Sequence, residues 1–444
     1  VGRARYKAVV DALAADIRAG VIPPGTRLPT HRELAAREGL ALVTATRVYA
    51  ELAEMGLVSG EAGRGTFVRE SSLPLRDNVS ERAFADDVVD LNFNYPSVPG
   101  QADQLRNALR GLASSGDLDA LLRYQPHGGR LHERASAALH LERRGLSVPA
   151  ERVLIVSGAQ HGLAVTALAM LQPGDVVAVD ALSYPGFKVL AQVLRLEMAP
   201  LPAGNEGPDL DAFEELCRTR PVRAIYTMPT LHNPLGWVTP APCRETLVEI
   251  ARRHGVTIIE DASYAYLVER PPAPLAVLAP ELTVYVSGLS KSVATGLRVG
   301  FVVPPAQFIG AFERAIRGTT WNTPPLITAI AAGWLNDGTV TRLEADKRAD
   351  ARRRQAVARE VLSGLDVVGN PSSYFLWLPL PGEARADQVA TDLLRETVSV
   401  STAEPFAMTK NPPHAIRVAL GSVEIDVLAQ SLETVKRVID AHTW

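Results

Sequence analysis

From about residue 150 onward, short β-branched runs alternate with stretches of helical period, and this alternation restricts the chain more than any other feature. RVLIVS (152–157) leads into HGLAVTALAMLQ, then VVAVD (176–180), a helix, AIYTM (224–228), CRETLVEIARRHG, TIIED (257–261) and VYVSG (284–288). Strands separated by helices of about ten to fifteen residues need crossover connections, which predicts an α/β fold with a mostly parallel sheet wrapped by helices. The tail from about residue 321 reads differently. A long charged helix near 340–362 precedes SYFLWLPL and AIRVAL as strands, which predicts a smaller α+β unit. At about 150 residues per domain, 444 residues leave room for a third unit in front.

Composition removes several classes. With 47% hydrophobic and 21% charged residues, the chain can bury cores and is not disordered as a whole. No run approaches the ~18 consecutive apolar residues of a membrane helix, so no membrane span is expected. The first twenty residues are charged throughout, without an apolar core or small-residue cleavage site, which predicts a cytoplasmic chain. Cys217 and Cys243 stand in no CxxC or His-rich setting, so neither a disulfide framework nor a metal site is expected. The net charge of −3 argues against a coat of nucleic acid. Residues 1–70 nevertheless hold ten Lys and Arg against eight Asp and Glu, a mildly basic front on an acidic body.

That front reads as a small helical module. Val9, Val10, Leu13 and Ile17 fall at helical spacing between Tyr6 and Ala19, with Gly20 as a stop. VIPPGTRLP is a turn; Thr30 and Glu33 form a capping-box pattern for HRELAARE, which Gly39 ends. A third helix is expected from near Val43 to Gly56, with Val43, Ala50 and Leu52 inward and Thr44, Thr46 and Arg47 partly outward. LVSGEAGRGTFV then predicts a hairpin wing presenting Arg64. Two short helices around a Gly-containing turn suit a helix-turn-helix, although periodicity alone also fits a helical dimerisation cap.

PPGTRLPTHRELA, TRVYAELAEMGLV and GRGTFV resemble the winged helix-turn-helix of GntR-type regulators over about residues 1–70. The resemblance implies binding to double-stranded DNA, with Arg32, Thr44, Arg47 and Arg64 as contacts to phosphate or base edges. One departure is LALVTAT, which places Ala41, Leu42 and Val43 where relatives open this helix with polar residues and an arginine. Apolar groups can touch thymine methyls but cannot bind phosphate. ESSLPLRDNVSERAFADDVV follows without a clear period and is expected to be a tether over 71–89. The large body then runs over 90–444, with a large part at about 125–320 and a small part at about 321–444.

Five pieces in that body carry chemistry, and each alone has a bland alternative. SGAQHG (157–162) leaves a strand and enters a helix, where backbone N–H groups and the helix dipole favour a phosphate. HNPLG puts Asn233 at a strand end, though Asn-Pro is also ordinary turn chemistry. In IIEDASYAY, Asp261 ends a core strand and Tyr264 follows three residues on; a carboxylate there needs a cationic partner. VSGLSKSVATGLRVGF presents Lys291 and, seven residues later, Arg298. HAIRVAL buries Arg417 in an apolar strand, which calls for a carboxylate or another acceptor.

In that order, Asn233, Asp261, Tyr264, Lys291, Arg298 and Arg417 resemble the fold-type I aminotransferases across about 90–444. The resemblance implies pyridoxal 5'-phosphate, joined to Lys291 as an internal aldimine, with Asp261 on the ring nitrogen and Asn233 and Tyr264 on the ring hydroxyl. It implies a phosphate cup from the backbone at Gly158, Ala159 and Gln160, with Ser290 and Arg298. Tyr184 would stack on the ring, and Tyr124 would reach the phosphate of a partner subunit, which requires a homodimer. Arg417 would grip an α-carboxylate, so an amino acid pocket is expected. Gly288 departs from the pattern, standing where many relatives place a Ser or Thr for the phosphate.

A GntR-type module tethered to an aminotransferase-like body is the arrangement of the MocR regulators, and both halves resemble it. The implied protein is a transcription factor that senses the cofactor or an amino acid through Lys291. The alternative is an active aminotransferase acting on an amino acid and a 2-oxo acid, with the front module used for dimerisation or inactive.

Overall fold

The computed structural model describes residues 2–18, 21–23, 25–55, 57–61, 64–69, 88–114, 118–204, 206–382 and 384–442. The tether expected over 71–89 lies outside these up to residue 87, as does the expected stop at Gly20.

The front module has helices Gly2–Arg18, His31–Glu38 and Leu42–Glu54, then an antiparallel hairpin of Val58–Glu61 with Gly65–Val68. Its second helix starts as the sequence indicates. Thr30 Oγ1 accepts from the Glu33 N–H, the Glu33 carboxylate accepts from the Thr30 N–H, and Gly39 closes the helix at φ 60°. Val10, Leu13 and Ile17 pack with Leu34, Val48, Leu52 and Val68 into one core.

The phase of the third helix differs from the expectation. Its inward residues are Ala45, Val48, Tyr49 and Leu52, a continuous stripe at spacings of three and four. Val43 is 81% exposed and Ala50 is exposed, because neither lies on that stripe. Leu42 and Val43 therefore open the helix as an uncovered apolar step.

The body is built on a seven-stranded sheet ordered Leu154–Val156, Gly300–Val303, Thr283–Gly288, Thr257–Asp261, Val222–Thr227, Val176–Asp180, Glu197–Leu201. The last five are mutually parallel. Gly300–Val303 runs antiparallel to both its neighbours, a reversal the helix-strand alternation does not announce. It makes Leu289–Val299 a loop pinned at both ends, and that loop carries Lys291 and Arg298. Helices cover both faces, among them Ala159–Met170, Ile309–Thr319 and Ala241–His254.

The smaller unit pairs Phe375–Pro379 with Ala415–Ala419 and the latter with Ser401–Thr402, all antiparallel, against helices Ala386–Arg395 and Ile425–Ala441. A strand from the other end of the body joins it: Val89–Asp90 lies parallel to Val398–Ser399. The long helix Thr339–Val361 packs against both units. No helix among the described residues is long and apolar enough to cross a membrane.

Candidate functional site

A cavity of about 590 Å³ opens at the carboxyl ends of the parallel strands, where ligand sites of open α/β sheets form. Ala159, Gln160, Tyr184, Asn233, Asp261, Tyr264, Ser290, Lys291, Arg298 and Arg417 all line it. Residues separated by more than two hundred positions meet there because most of them follow or end a strand of the large sheet, while Arg417 reaches it from the middle of the strand Ala415–Ala419 in the smaller unit.

Asp261 ends its strand fully buried. Its carboxylate accepts from the Tyr226 hydroxyl at 2.9 Å and from the Ser263 N–H and Oγ at 3.0 and 2.6 Å. Desolvation raises its pKa above the ordinary range, and these donors oppose that rise. Its hydrogen-bond donors among the described residues are all neutral, so the cationic partner that the sequence calls for is not among them. Tyr226 is the residue the sequence reading missed. Its ring stacks on Phe187 with centroids 3.9 Å apart, and burial lifts its hydroxyl pKa well above the usual phenol value, so it remains a donor. Its signal was available only as an inward polar residue on the strand beside Asp261.

Asn233 is buried, and its Oδ1 has no hydrogen-bond partner. The loop that carries it is clamped by Arg244, buried beneath, which donates to the Pro229 and Thr239 carbonyls at 2.8 Å each. Behind the same strand ends, burial shifts Glu260 from an ordinary 4.5 to about 7, against the pull of the Ala276 N–H and of Arg244.

Lys291 donates from Nζ to the Asn94 carbonyl at 3.0 Å. Its own peptide carbonyl accepts from Tyr266 at 2.8 Å and from Lys347 at 3.3 Å. Lys347 is wholly buried, and desolvation together with the nearby Lys291 lowers its pKa to about 8.

The phosphate-type corner is defined by close packing of glycines. Gly158 has φ 88°, and a Cβ there would lie 2.9 Å from an Arg298 guanidinium nitrogen. A Cβ on Gly300 would lie 2.6 Å from the Gly158 carbonyl carbon, and one on Gly288 would lie 3.0 Å from the Val299 carbonyl oxygen. The Gly288 departure thus has a packing reason: it ends a strand paired closely with Val299–Gly300, and a side chain there would have to push the Val299 carbonyl aside. The helix starting at Ala159 brings its first N–H groups to this corner, Arg298 lies against Ser290 at 3.4 Å, and Gln160 braces the Gly186 carbonyl at 2.8 Å.

Arg417 is buried between Phe375 and Phe406, with its guanidinium 5.2 and 5.5 Å from the ring centroids. It donates to the Asn92 carbonyl at 2.7 Å, while its buried Nε has no partner. Desolvation lowers its pKa, as expected of a cation kept ready for an anion. Tyr264 meets Phe375 edge-on at 5.3 Å. Tyr184 lies over Gly186, and burial raises its hydroxyl pKa. Tyr124 is not brought to this cavity; it is 84% exposed and lies 5.3 Å from Trp321. Arg32 and Arg47 are exposed on the front module, with Arg47 5.1 Å above the Tyr6 ring, while Thr44 and Arg64 are half-buried.

The family described as aminotransferase class I and II matches residues 86–433, and the bacterial regulatory proteins of the gntR family match residues 5–68. The chain is 28% identical over 440 residues to the uncharacterized HTH-type transcriptional regulator YdeF of Bacillus subtilis, covering 99% of this chain and 95% of that protein. It is 29% identical over 345 residues to the 2-aminoadipate transaminase of Thermus thermophilus, covering 75% of this chain and 84% of that enzyme. Among solved structures, LysN, the α-aminoadipate aminotransferase of Thermus thermophilus, superposes with a TM-score of 0.73 at 25% identity, covering 80% of this chain and 93% of that one.

The cofactor implied by this family and fold is pyridoxal phosphate, and the cavity fits it. Asn233 Oδ1 and Arg417 Nε are buried polar atoms without protein partners. The side-chain-free corner between Gly158 and Arg298 leaves backbone N–H groups and a cation for a phosphate.

Proposed function

Because the chain belongs to the class I and II aminotransferases and carries a GntR-type DNA-binding module ahead of that domain, we propose that it is a MocR-type transcriptional regulator whose body senses pyridoxal phosphate or an amino acid through Lys291. The observation that carries this reading is the fusion itself: a relative named as a transcriptional regulator aligns along 99% of the chain, both halves included.

Pyridoxal phosphate supplies an electrophilic aldehyde and an electron-accepting ring. Lys291 Nζ offers the amine that the aldehyde requires, once it leaves the Asn94 carbonyl. Asp261, fixed by Tyr226 and Ser263, holds the proton on the ring nitrogen, and that cation offsets the burial of the carboxylate. Asn233 and Tyr264 serve the ring hydroxyl, and Tyr184 covers a ring face. Gly158, Ala159, Gln160, Ser290 and Arg298 hold the phosphate. Arg417 takes the α-carboxylate in a bidentate grip between its two phenyl rings. We assign exposed Tyr124 to the phosphate of a second copy, in a homodimer. Arg32, Thr44, Arg47 and Arg64 are the DNA contacts, read in the cytoplasm. A ligand shifts DNA affinity only through unequal affinity for two states of the chain.

The test is binding of the purified protein to the DNA upstream of its own gene and to random DNA at one salt concentration, with and without pyridoxal phosphate. A specificity ratio that changes with cofactor or added amino acid supports the regulator. Equal binding to both DNAs under all conditions, with sustained transamination of an amino acid and a 2-oxo acid, overturns it. The second reading, an active aminotransferase, is favoured by one observation: Asn233, Asp261, Tyr264, Lys291 and Arg417 line one cavity.

A further inference from the structure

Residues 70–87 connect the front module to the body, and both ends of that connection rest on one short stretch of the small unit. At the module end, Arg69 Nη2 pairs with Glu404 Oε1 at 3.1 Å, both side chains about one-fifth exposed. At the body end, Val89–Asp90 pairs with Val398–Ser399; the Val89 N–H donates to the Thr397 carbonyl and the Leu91 N–H to the Ser399 carbonyl, each at 2.8 Å. The wing touches the same unit again, with the Arg385 guanidinium 4.0 Å above the Phe67 ring.

That stretch also walls the cavity. Ser401 stands opposite Arg417 in the antiparallel register, and Phe406 lies against the Arg417 guanidinium. Asn92, just past the Val89–Asp90 strand, bonds through its side chain to Ser399 Oγ and Ser401 Oγ. Lys188, on the helix that starts after Tyr184, donates to the carbonyls of Glu404 and Ala407 at 3.2 and 2.7 Å. Residues 92–94 meanwhile occupy the two cations a ligand must use. The Asn92 carbonyl takes Arg417, and the Asn94 carbonyl takes Lys291. An aldehyde at Lys291 competes with the Asn94 carbonyl for Nζ, and a carboxylate at Arg417 shares the guanidinium with the Asn92 carbonyl. A buried carbonyl that loses its donor must move to find another.

We propose that Val398–Phe406 is a coupling junction: occupancy of Arg417 and Lys291 displaces residues 92–94, the displacement passes through Asn92 to the stretch that carries Glu404, and the Arg69–Glu404 hold on the DNA-binding module is released. This rests on the regulator reading above. Glu404 is a positioning residue in it, acting on DNA binding through its ion pair with Arg69. The pair is half-buried at a domain contact, so its loss moves an affinity by about two- to fivefold.

The experiment measures the ratio of DNA affinities with and without ligand, using pyridoxal phosphate alone and then with an equimolar mixture of the proteinogenic L-amino acids. It compares wild type, Glu404→Gln, Arg69→Glu and the exchange Arg69→Glu with Glu404→Arg. Cofactor loading is followed in each by visible absorbance. The junction requires that Glu404→Gln loads normally, binds DNA without ligand as loaded wild type does, and has a ratio near one. It also requires the exchange to recover a ratio that Arg69→Glu alone lacks. A Glu404→Gln protein with the wild-type ratio overturns the junction and leaves ligand sensing intact. A wild type that loads the cofactor and shows no ratio with either probe overturns the sensing and the junction together.

Discussion

The cavity at the strand ends and the opening of the module's third helix meet their targets by opposite means. The cavity draws Asp261, Lys291 and Arg417 from distant segments, buries Asp261 and Arg417, and leaves selected atoms without hydrogen-bond partners among the described residues. The helix opens with Leu42 and Val43, 48% and 81% exposed, and its basic residue, Arg47, lies over Tyr6. Buried polar groups gain strength and selectivity from low dielectric, while exposed ones act over a salt-screened distance. In the proposed regulator, ligand recognition is therefore concentrated in single buried residues and DNA recognition is spread over exposed ones.

Replacing one cavity residue should accordingly do more than replacing one DNA contact. Arg417→Ala leaves a bound carboxylate buried without its cation, a loss of about 3–5 kcal/mol, on the order of a thousandfold in amino acid affinity. The readout is the amino acid concentration that shifts the visible spectrum of the loaded protein. An effect below tenfold would mean that the carboxylate is held elsewhere.

Stability against pH probes the burial behind the site. Glu260 binds its proton more tightly folded than unfolded, so its contribution is complete below pH 4.5 and fades as pH rises to about 7. Glu260→Gln should remove that slope, on the order of 3 kcal/mol across the window. Urea unfolding at several pH values reads it, and an unchanged slope would assign the dependence to other groups.

On the DNA side, Arg47→Ala should weaken binding severalfold for all sequences and reduce the salt slope by about one phosphate's worth, ~0.9. Uracil in place of thymine should cost affinity through Leu42 and Val43 if the apolar step reads methyls. Indifference to uracil would leave that step without a role in base reading. The smallest effect expected is from Thr30→Ala, which removes the capping box and about 1 kcal/mol of the module's stability.

The same contrast explains what was readable without coordinates. The strands of the body follow from periodicity, because a strand buried on both faces must be apolar and a polar residue at its end stands out, as Asp261 does; Lys291, in the loop beyond a strand, gains its meaning only from the resemblance of the motifs in their order. The capping box at Thr30 is equally local. What escaped depends on register or on backbone. The third helix was phased on Val43, Ala50 and Leu52, although only Leu52 lies on the buried stripe with Ala45, Val48 and Tyr49. The antiparallel strand Gly300–Val303 is preceded only by the short 3-10 turn Thr295–Leu297, with no crossover helix to mark its direction. The Asn92 and Asn94 carbonyls bind through peptide groups that every residue has, so no side-chain pattern could reveal them.

In the proposed regulator, one lysine of the body, Lys291, governs what the front module does on DNA. The direct measurement is DNA affinity at fixed salt for wild type and Lys291→Ala, titrated with pyridoxal phosphate. The account predicts equal affinities without cofactor, a shift with cofactor in wild type, and none in the variant. A Lys291→Ala protein that still answers the cofactor on DNA as wild type does would contradict it.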